Sequence, residues 1–199
     1  MLIKKVKTAF KIADVELVKN TTKLKFNYLS TIKDENNKIL PKDILTKNYA
    51  RVYLIVVDGE IKKIGASQDK GGMKGTLSIY KDGGVKGRPS IRSFGIWYFL
   101  YRTAMQGKKI EFYMIYHDNF NFEIKGLLQT YQTTLASISC KLIEYYCVKD
   151  YLSMENNHYP DWNVQEQAMD WPEEVKREHS RITAGSLNNK SKRKKMKMA

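Results

Sequence analysis

The sequence predicts an α+β protein with a small, three-stranded, largely antiparallel sheet flanked by helices. The first observation is the run RVYLIVV, followed by Asp58-Gly59 and the run EIKKIG. A β-branched run, a two-residue type I′ turn signal and a return run are typical of a β-hairpin. The second observation is the run KKIEFYMIY, which predicts another strand of the sheet. The third observation is that apolar residues recur at helical spacing in two longer segments, which predicts two helices.

The segments before and after the hairpin complete the order of elements. Residues 1–48 are polar, with strand-like pieces at VELV and KLKFNYL, and predict an N-terminal arm or subdomain. Residues 68–90 carry six glycines and one proline, which exclude a long regular element and predict a loop inserted in the core. Ser90 can then cap a helix that ends at Gly107.

The segment from Leu127 to Leu152 predicts one long helix. Its apolar residues recur at helical steps and predict a core-facing stripe: Leu128, Tyr131, Leu135, Ile138, Leu142, Tyr145 and Leu152. Glu144 lies off that stripe, beside Cys140 and Cys147, where a carboxylate would be partly desolvated. An ordinary surface pair between Glu144 and Lys141 is the alternative. The following PDWN is a turn that ends the helix.

Composition and charge limit the class of protein. With 199 residues, 42% of them hydrophobic, the chain can bury one core with appendages. Its net charge of +14 favours an acidic partner, with nucleic acid ahead of a membrane surface. No apolar run reaches the length of a spanning helix and no signal peptide is evident, so we expect a soluble, cytoplasmic protein. Residues 190–199 hold six basic side chains and predict a disordered basic tail, whose role is phosphate contact or only solvation.

The cysteines and histidines do not indicate a metal or disulfide site. Cys140 and Cys147 are seven residues apart, about 10 Å along a helix, which is too far for a disulfide. We therefore expect two free thiols. The three histidines, His117, His158 and His179, lack zinc-ligand spacing.

The quoted pieces, taken in order, resemble the GIY-YIG nuclease superfamily over roughly residues 50–166. They are the hairpin VYLIVVDGEIKKIG, a helix, the strand KKIEFYMIY, the helix KLIEYYCVKDYL with its central glutamate, and the ending PDWN. The resemblance implies a core at residues 49–166, with the glycine-rich insertion 68–90 inside it and a C-terminal extension at 167–199. It is nearest to restriction endonucleases and to phage endonucleases that degrade DNA.

Within that resemblance, Tyr53 matches the tyrosine of the first motif half, and Ile64-Gly65 match the end of the second half. Lys63 stands where the second half usually has a tyrosine. Glu144 matches the metal-binding glutamate, and Asn163 matches the asparagine near the end of the core. The residue that corresponds to the arginine of the family motif is not assigned. The usual spacing after Gly65 leads to Lys74, while the nearest arginines are Arg88 and Arg92.

The resemblance implies a catalytic role for these residues. Tyr53 would be the general base, and Lys63, expected opposite it across the hairpin, would lower the pKa of the phenol. The alternative makes Lys63 a protective charge at a sheet edge and Tyr53 a core residue. Arg88, with Lys74 or Arg92 as alternatives, would hold the scissile phosphate, although Arg92 could equally face solvent.

The implied cofactor is one Mg²⁺ per active site. Glu144 would hold this ion, which suits one carboxylate together with phosphate oxygens and waters. A site with one protein carboxylate needs no cluster of acidic residues. Asn163 would fix a turn or the surroundings of Glu144 rather than take part in the chemistry.

The implied partner is double-stranded DNA. The basic residues of the glycine-rich insertion would contact phosphates, with a merely solvated insertion as the alternative: Lys70, Lys74, Lys81, Lys86 and Arg88. The arm at 1–48 and the C-terminal extension would add DNA contacts or mediate dimerisation, and a homodimer is left open. The expected function is a magnesium-dependent endonuclease, in particular a type II restriction enzyme. The alternatives are a phage-type enzyme that degrades host DNA and a non-catalytic nucleic-acid-binding protein.

Overall fold

The computed structural model describes residues 1–84, 88–117, 120–125, 127–135 and 139–196. After a short 3₁₀ turn at Ile3–Lys5, the elements in chain order are β1 Phe10–Leu17, β2 Leu24–Tyr28, β3 Ala50–Val57, β4 Glu60–Ser67, α1 Gly72–Ser78, α2 Ile91–Met105, β5 Ile110–His117, β6 Phe120–Lys125, β7 Thr130–Leu135, α3 Cys140–Met154 and α4 Glu173–Met196.

The main sheet has five strands, so the predicted three-stranded sheet is wrong. Its order is β2-β1-β5-β3-β4, and every neighbouring pair is antiparallel. The two additional strands, β1 and β2, overlap the strand-like pieces VELV and KLKFNYL of the predicted arm, and they join the sheet because β1 pairs with β5. This pairing satisfies the second edge of β5, whose backbone groups would otherwise lack partners. Strands β6 and β7 form a separate two-stranded sheet.

The β3–β4 hairpin has the predicted turn and an unpredicted β-bulge. Asp58 and Gly59 adopt φ values of 49° and 84°, as a type I′ turn requires. Tyr53 is paired with Gly65 and Ile55 with Lys63, but Val56 is paired with Ile61. Lys62 is therefore an extra residue in β4, and the shift places Lys63 on the same face as Tyr53.

The two faces of the main sheet bury different helices. On one face Tyr53, Ile55 and Val57 join a core that includes Phe94 and Leu100 of α2. On the other face Val52, Leu54 and Val56 pack with Cys140, Ile143 and Tyr151 of α3. Because β3 is covered on both sides, all eight of its residues are buried.

The long helix predicted from Leu127 is wrong in its first half. Strands β6, Phe120–Lys125, and β7, Thr130–Leu135, pair with each other instead, and the helix begins at Cys140, capped by the Ser139 side chain. The predicted stripe also faces the wrong way, because Leu128, Leu142 and Tyr145 are exposed. The face of α3 that packs on the sheet carries Cys140, Ile143 and Tyr151 instead, and Ile138 lies outside the described residues.

Other local predictions are confirmed. Helix α2 starts after Ser90, whose hydroxyl accepts a hydrogen bond from the Ser93 N–H, and Gly107 follows its end with a φ of 71°. Cys140 and Cys147 are free thiols. The glycine-rich insertion contains one short helix, α1. None of the helices in the described part of the chain combines the length and apolar character that a bilayer crossing requires.

Candidate active site at the outer edge of strand β4

The candidate site lies where β4, the last strand of the sheet, meets helices from both faces. Helix α3 approaches from one face and brings Glu144, whose carboxylate Oε1 accepts a hydrogen bond from the Ala66 N–H at 2.8 Å. Helix α2 approaches from the other face and brings Arg92 in its first turn. Arg92 is linked to Lys63 through Glu166, and both Arg92 and Glu144 influence the pKa of Tyr53 and of Lys63, so these four groups come from four elements to the same part of the sheet.

Tyr53 lies across Gly65 on the neighbouring strand. A Cβ atom on Gly65 would stand 2.6 Å from both Cζ and the hydroxyl oxygen of Tyr53, so a side chain at this position would displace the ring. The ring reaches over β4 to Tyr80, and the two hydroxyl groups are 2.8 Å apart. Glycine at position 65 therefore has a steric reason, which is the close passage of this tyrosine.

The surroundings of Tyr53 favour its neutral phenol form. Burial raises its pKa well above 10, and the adjoining Tyr80 acts in the same direction, while Arg92 opposes them. The Tyr53 hydroxyl has the Tyr80 hydroxyl as its hydrogen-bond partner, and Lys63 is paired with Ile55. The sequence predicted that Lys63 would lower the pKa of the Tyr53 phenol, whereas in the free protein this pKa is raised.

Lys63 is almost completely buried, with 2% of its side chain exposed. Burial lowers the pKa of its ammonium from 10.5 to about 8, against the opposing effect of Glu166. It lies opposite Ile55 rather than Tyr53, one pleat further along the same face. Burying a cation in this way is costly, and such groups are concentrated at functional sites.

Among the three basic residues considered for the phosphate, the structure brings Arg92 into the site. Its guanidinium Nη2 lies 3.0 Å from Glu166 Oε1, and its charge acts on Tyr53, Tyr80 and Lys63. Lys74 instead lies over the ring of Tyr28, with 5.1 Å from its nitrogen to the ring centroid. Arg88 is exposed before α2, and no described contact joins it to the site.

Glu144 is the residue of this site that could hold a divalent ion. It is 8% exposed, Oε1 is held by the backbone of β4, and Oε2 lies 2.6 Å from Lys141 Nζ. Among the described residues there is no group of three or more His, Cys, Asp or Glu side chains that could hold a metal. One hard carboxylate fits Mg²⁺ when water and substrate oxygens complete the shell, and Lys141, which is largely exposed, could leave Oε2 to the ion.

Asn163 is fully buried and binds the backbone of β4. Its side-chain oxygen accepts from the Ile64 N–H and its amide nitrogen donates to the Ile64 carbonyl, both at 2.9 Å. The preceding Trp162 N–H donates to the Lys62 carbonyl at 2.8 Å. The turn at PDWN therefore pairs with the outer edge of β4, and in this structure Asn163 holds backbone.

The basic residues proposed for DNA contact are spread over the insertion between β4 and α2. Those within the described residues are exposed: Lys70, Lys74, Lys81 and Arg88. Lys86 lies outside the described residues. The insertion also delivers Tyr80 to Tyr53, so it contributes a buried residue as well as surface charge.

Two residues of the site were missed from the sequence. Tyr80 follows Leu77 by three residues within the glycine-rich insertion, and that helical spacing of apolar residues was its only signal. Glu166 comes three residues after Asn163, and nothing in its local sequence distinguishes it from a surface glutamate. Its position depends on how the turn at residues 160–163 docks on β4.

Comparisons with known proteins give structural matches only. No protein-family model matches the chain, and no curated protein matches it. Among solved structures, the fold is similar to a point mutant of bacteriophage T4 EndoII, with a TM-score of 0.49 and 18% identity over 82% of this chain and 99% of that one. It is also similar to the restriction endonuclease HPY188I in complex with product DNA, with a TM-score of 0.42 and 19% identity over 80% of this chain and 84% of that one.

Proposed function

We propose that this chain is a magnesium-dependent endonuclease that hydrolyses phosphodiester bonds in double-stranded DNA, in particular a type II restriction endonuclease. The observation that carries the proposal is that Tyr53, Lys63, Arg92 and Glu144 lie beside strand β4. The Tyr53 ring passes over Gly65, Glu144 accepts a hydrogen bond from Ala66, and Glu166 faces both Arg92 and Lys63. Phosphate-ester hydrolysis needs a base for the attacking water and positive charge for the phosphate, which a phenol and the two cations could supply, while a carboxylate could hold a metal ion. The net charge of +14 suits a polyanionic substrate.

Arg92 and Lys63 would bind the scissile phosphate and stabilise its negative charge as it develops. Arg92 has 43% of its side chain exposed and can meet a phosphate from solvent, while Lys63 forms the buried floor behind it. A guanidinium presents a planar set of donors that matches two phosphate oxygens. Arg88 and Lys74 would then contact DNA outside the scissile phosphate.

Glu144 would hold the Mg²⁺, which when bound supplies stabilisation of charge on the departing 3′ oxygen. The backbone hydrogen bond from Ala66 fixes one carboxylate oxygen, and the other, which pairs with Lys141, would be the oxygen that holds the ion. Asn163 would support this arrangement by holding β4 in place.

Tyr53 would accept the proton of the attacking water, with Tyr80 stabilising the phenolate by a hydrogen bond. Since burial favours the neutral phenol, this role requires the charges of the substrate complex to favour loss of the proton. Arg92 already acts in that direction on Tyr53, and Lys63 lies on the same face of the hairpin. A fall in the rate of cleavage toward acid pH would be the signature of such a base.

The test is cleavage of supercoiled plasmid in Mg²⁺ and in EDTA by the wild type, Glu144→Gln and Tyr53→Phe, with Glu178→Gln as a matched control. Glu178 pairs with Arg181 on α4, outside the site. We expect nicking that requires Mg²⁺, a loss of at least about 100-fold in both site variants, and little change in the control. Cleavage retained by both site variants would reject the proposed site. Altered plasmid mobility without cleavage would instead favour a non-catalytic DNA-binding protein.

A further inference from the structure

Glu166 lies between the two cations of the candidate site. Its Oε1 is 3.0 Å from Arg92 Nη2 and 4.0 Å from Lys63 Nζ, so a single carboxylate oxygen faces both. Among the described residues, neither cation forms a salt bridge with another acidic side chain. The carboxylate therefore compensates the positive charge that a substrate phosphate would otherwise meet.

The backbone places Glu166 there independently of the ion pairs. Trp162 and Asn163 are hydrogen-bonded to β4, and Val164 is buried in the core. The Gln167 side chain then donates to the carbonyls of Pro160 and Asn163 at 3.3 Å. The turn is anchored on both sides of Glu166, while the glutamate side chain itself keeps 25% of its surface exposed.

The chemistry of the carboxylate matches that of a phosphodiester. Both carry one negative charge on two equivalent oxygens, and both are bound by guanidinium and ammonium groups. Lys63 has 2% of its side chain exposed, and the acidic group that faces it, Glu166 Oε1 at 4.0 Å, belongs to a side chain that is 25% exposed. The partial exposure of Glu166 leaves its side chain a path outward to solvent.

We infer that Glu166 occupies the position of the scissile phosphate in the free protein and is displaced from Arg92 and Lys63 when DNA binds. The inference rests on the proposed function and adds a positioning residue to it. Glu166 keeps two cations ordered and compensated before binding, and it competes with the substrate for them. Removing its charge therefore strengthens anion binding, whereas loss of a merely structural ion pair would leave binding unchanged or weaken it.

The experiment compares the wild type, Glu166→Gln and the control Glu178→Gln, which removes the same charge from a glutamate–arginine pair outside the site. The first readout is fluorescence anisotropy of a short DNA duplex in EDTA, where metal-dependent cleavage does not occur. The second is the rise in thermal midpoint that inorganic phosphate produces in each protein, measured against its own phosphate-free midpoint. Glu166→Ser provides a second variant if the glutamine variant folds poorly.

We expect Glu166→Gln to bind the duplex about three- to tenfold more tightly than the wild type, and Glu178→Gln to stay within about twofold. We also expect phosphate to raise the midpoint of Glu166→Gln more than that of either other protein. If phosphate has the same effect on all three proteins, the inference is overturned whatever their activity. If no protein binds or cuts DNA but phosphate still favours Glu166→Gln, the anion position stands and the proposed nuclease function fails.

Discussion

The hydroxyl groups of Tyr53 and Tyr80 lie 2.8 Å apart, and both side chains are buried. One hydroxyl comes from β3, the neighbour of the edge strand β4, and the other from the insertion between β4 and α2. Their hydrogen bond therefore joins the sheet to a segment that is otherwise rich in glycine. It also leaves each hydroxyl dependent on the other, because burial separates both from water.

Replacing both tyrosines by phenylalanine should reduce the free energy of unfolding by less than the sum of the two single replacements. In Tyr53→Phe or Tyr80→Phe one buried hydroxyl loses its partner, which costs about 1–3 kcal/mol of unfolding free energy. In the double variant neither hydroxyl remains, so its cost should be less than the sum of the two. Denaturant unfolding of the four proteins measures this difference, and simple additivity would show that the bond contributes nothing.

Gly65→Ala should destabilise the protein and abolish activity together. The new methyl group would overlap the Tyr53 ring, and overpacking of this kind costs about 1–3 kcal/mol. Gly185→Ala is the control, because a Cβ there has open space and alanine favours helix. Thermal unfolding and plasmid cleavage give the two readouts. A Gly65→Ala protein as stable and active as the control would contradict the close passage of Tyr53.

Asn163→Asp should destabilise the protein although it changes few atoms. The aspartate can still accept from the Ile64 N–H, but its second oxygen faces the Ile64 carbonyl, to which Asn163 donates. Two acceptors facing each other in a buried site should cost about 3 kcal/mol or more. Asn36→Asp, at an exposed position, is the control. Equal unfolding free energies for the two variants would show that the amide does not hold β4.

Lys63 should make stability depend on pH between about 8 and 10. Its pKa is about 8 in the folded protein, against 10.5 for an ordinary lysine, so the unfolded chain binds more protons in this range. Stability from this group therefore rises with pH there, and the ammonium is unfavourable below pH 8 by about 3 kcal/mol.

The measurement is the unfolding free energy of the wild type and Lys63→Met at several pH values from 7 to 10. The advantage of Lys63→Met over the wild type should be largest near pH 7 and shrink as pH rises. Lys62→Met is the control, since Lys62 forms ion pairs with Glu60 and Asp161 at the surface and its pKa is raised. A difference between wild type and Lys63→Met that is constant over this range would contradict the burial of a charged lysine.

The sequence predicted correctly those turns and helix ends whose geometry is determined by residues close together in the chain. Asp58-Gly59 defined the hairpin turn and Ser90 the start of α2, because turn and cap geometry are set within a few residues. The five-strand order could not be predicted in the same way, since β1 pairs with β5 across about a hundred residues of chain. Residues 127–135 were misassigned because strand residues can share helical spacing, although the run TYQTTL is rich in strand-forming types.

The residues of the candidate site also fall into two groups, those that the sequence predicted and those whose position depends on long-range packing. Tyr53, Lys63 and Glu144 were named from motif resemblance, and the structure brings them to one edge of the sheet. The choice among Lys74, Arg88 and Arg92 required the packing of α2 against the sheet. Glu166 depended on the docking of a turn some hundred residues from β4, which no local pattern reports.

The bulge at Lys62 has a consequence for insertions and deletions in this hairpin. Removing Lys62 would leave Lys63 opposite Ile55 and Gly65 opposite Tyr53, because the remaining residues would then pair regularly from Val57 and Glu60 onward. Because two lysines are adjacent in β4, deletion of Lys62 would still leave a lysine side chain on the buried face that carries Tyr53. What the deletion would remove is the surface lysine that pairs with Asp161, together with the carbonyl that receives Trp162.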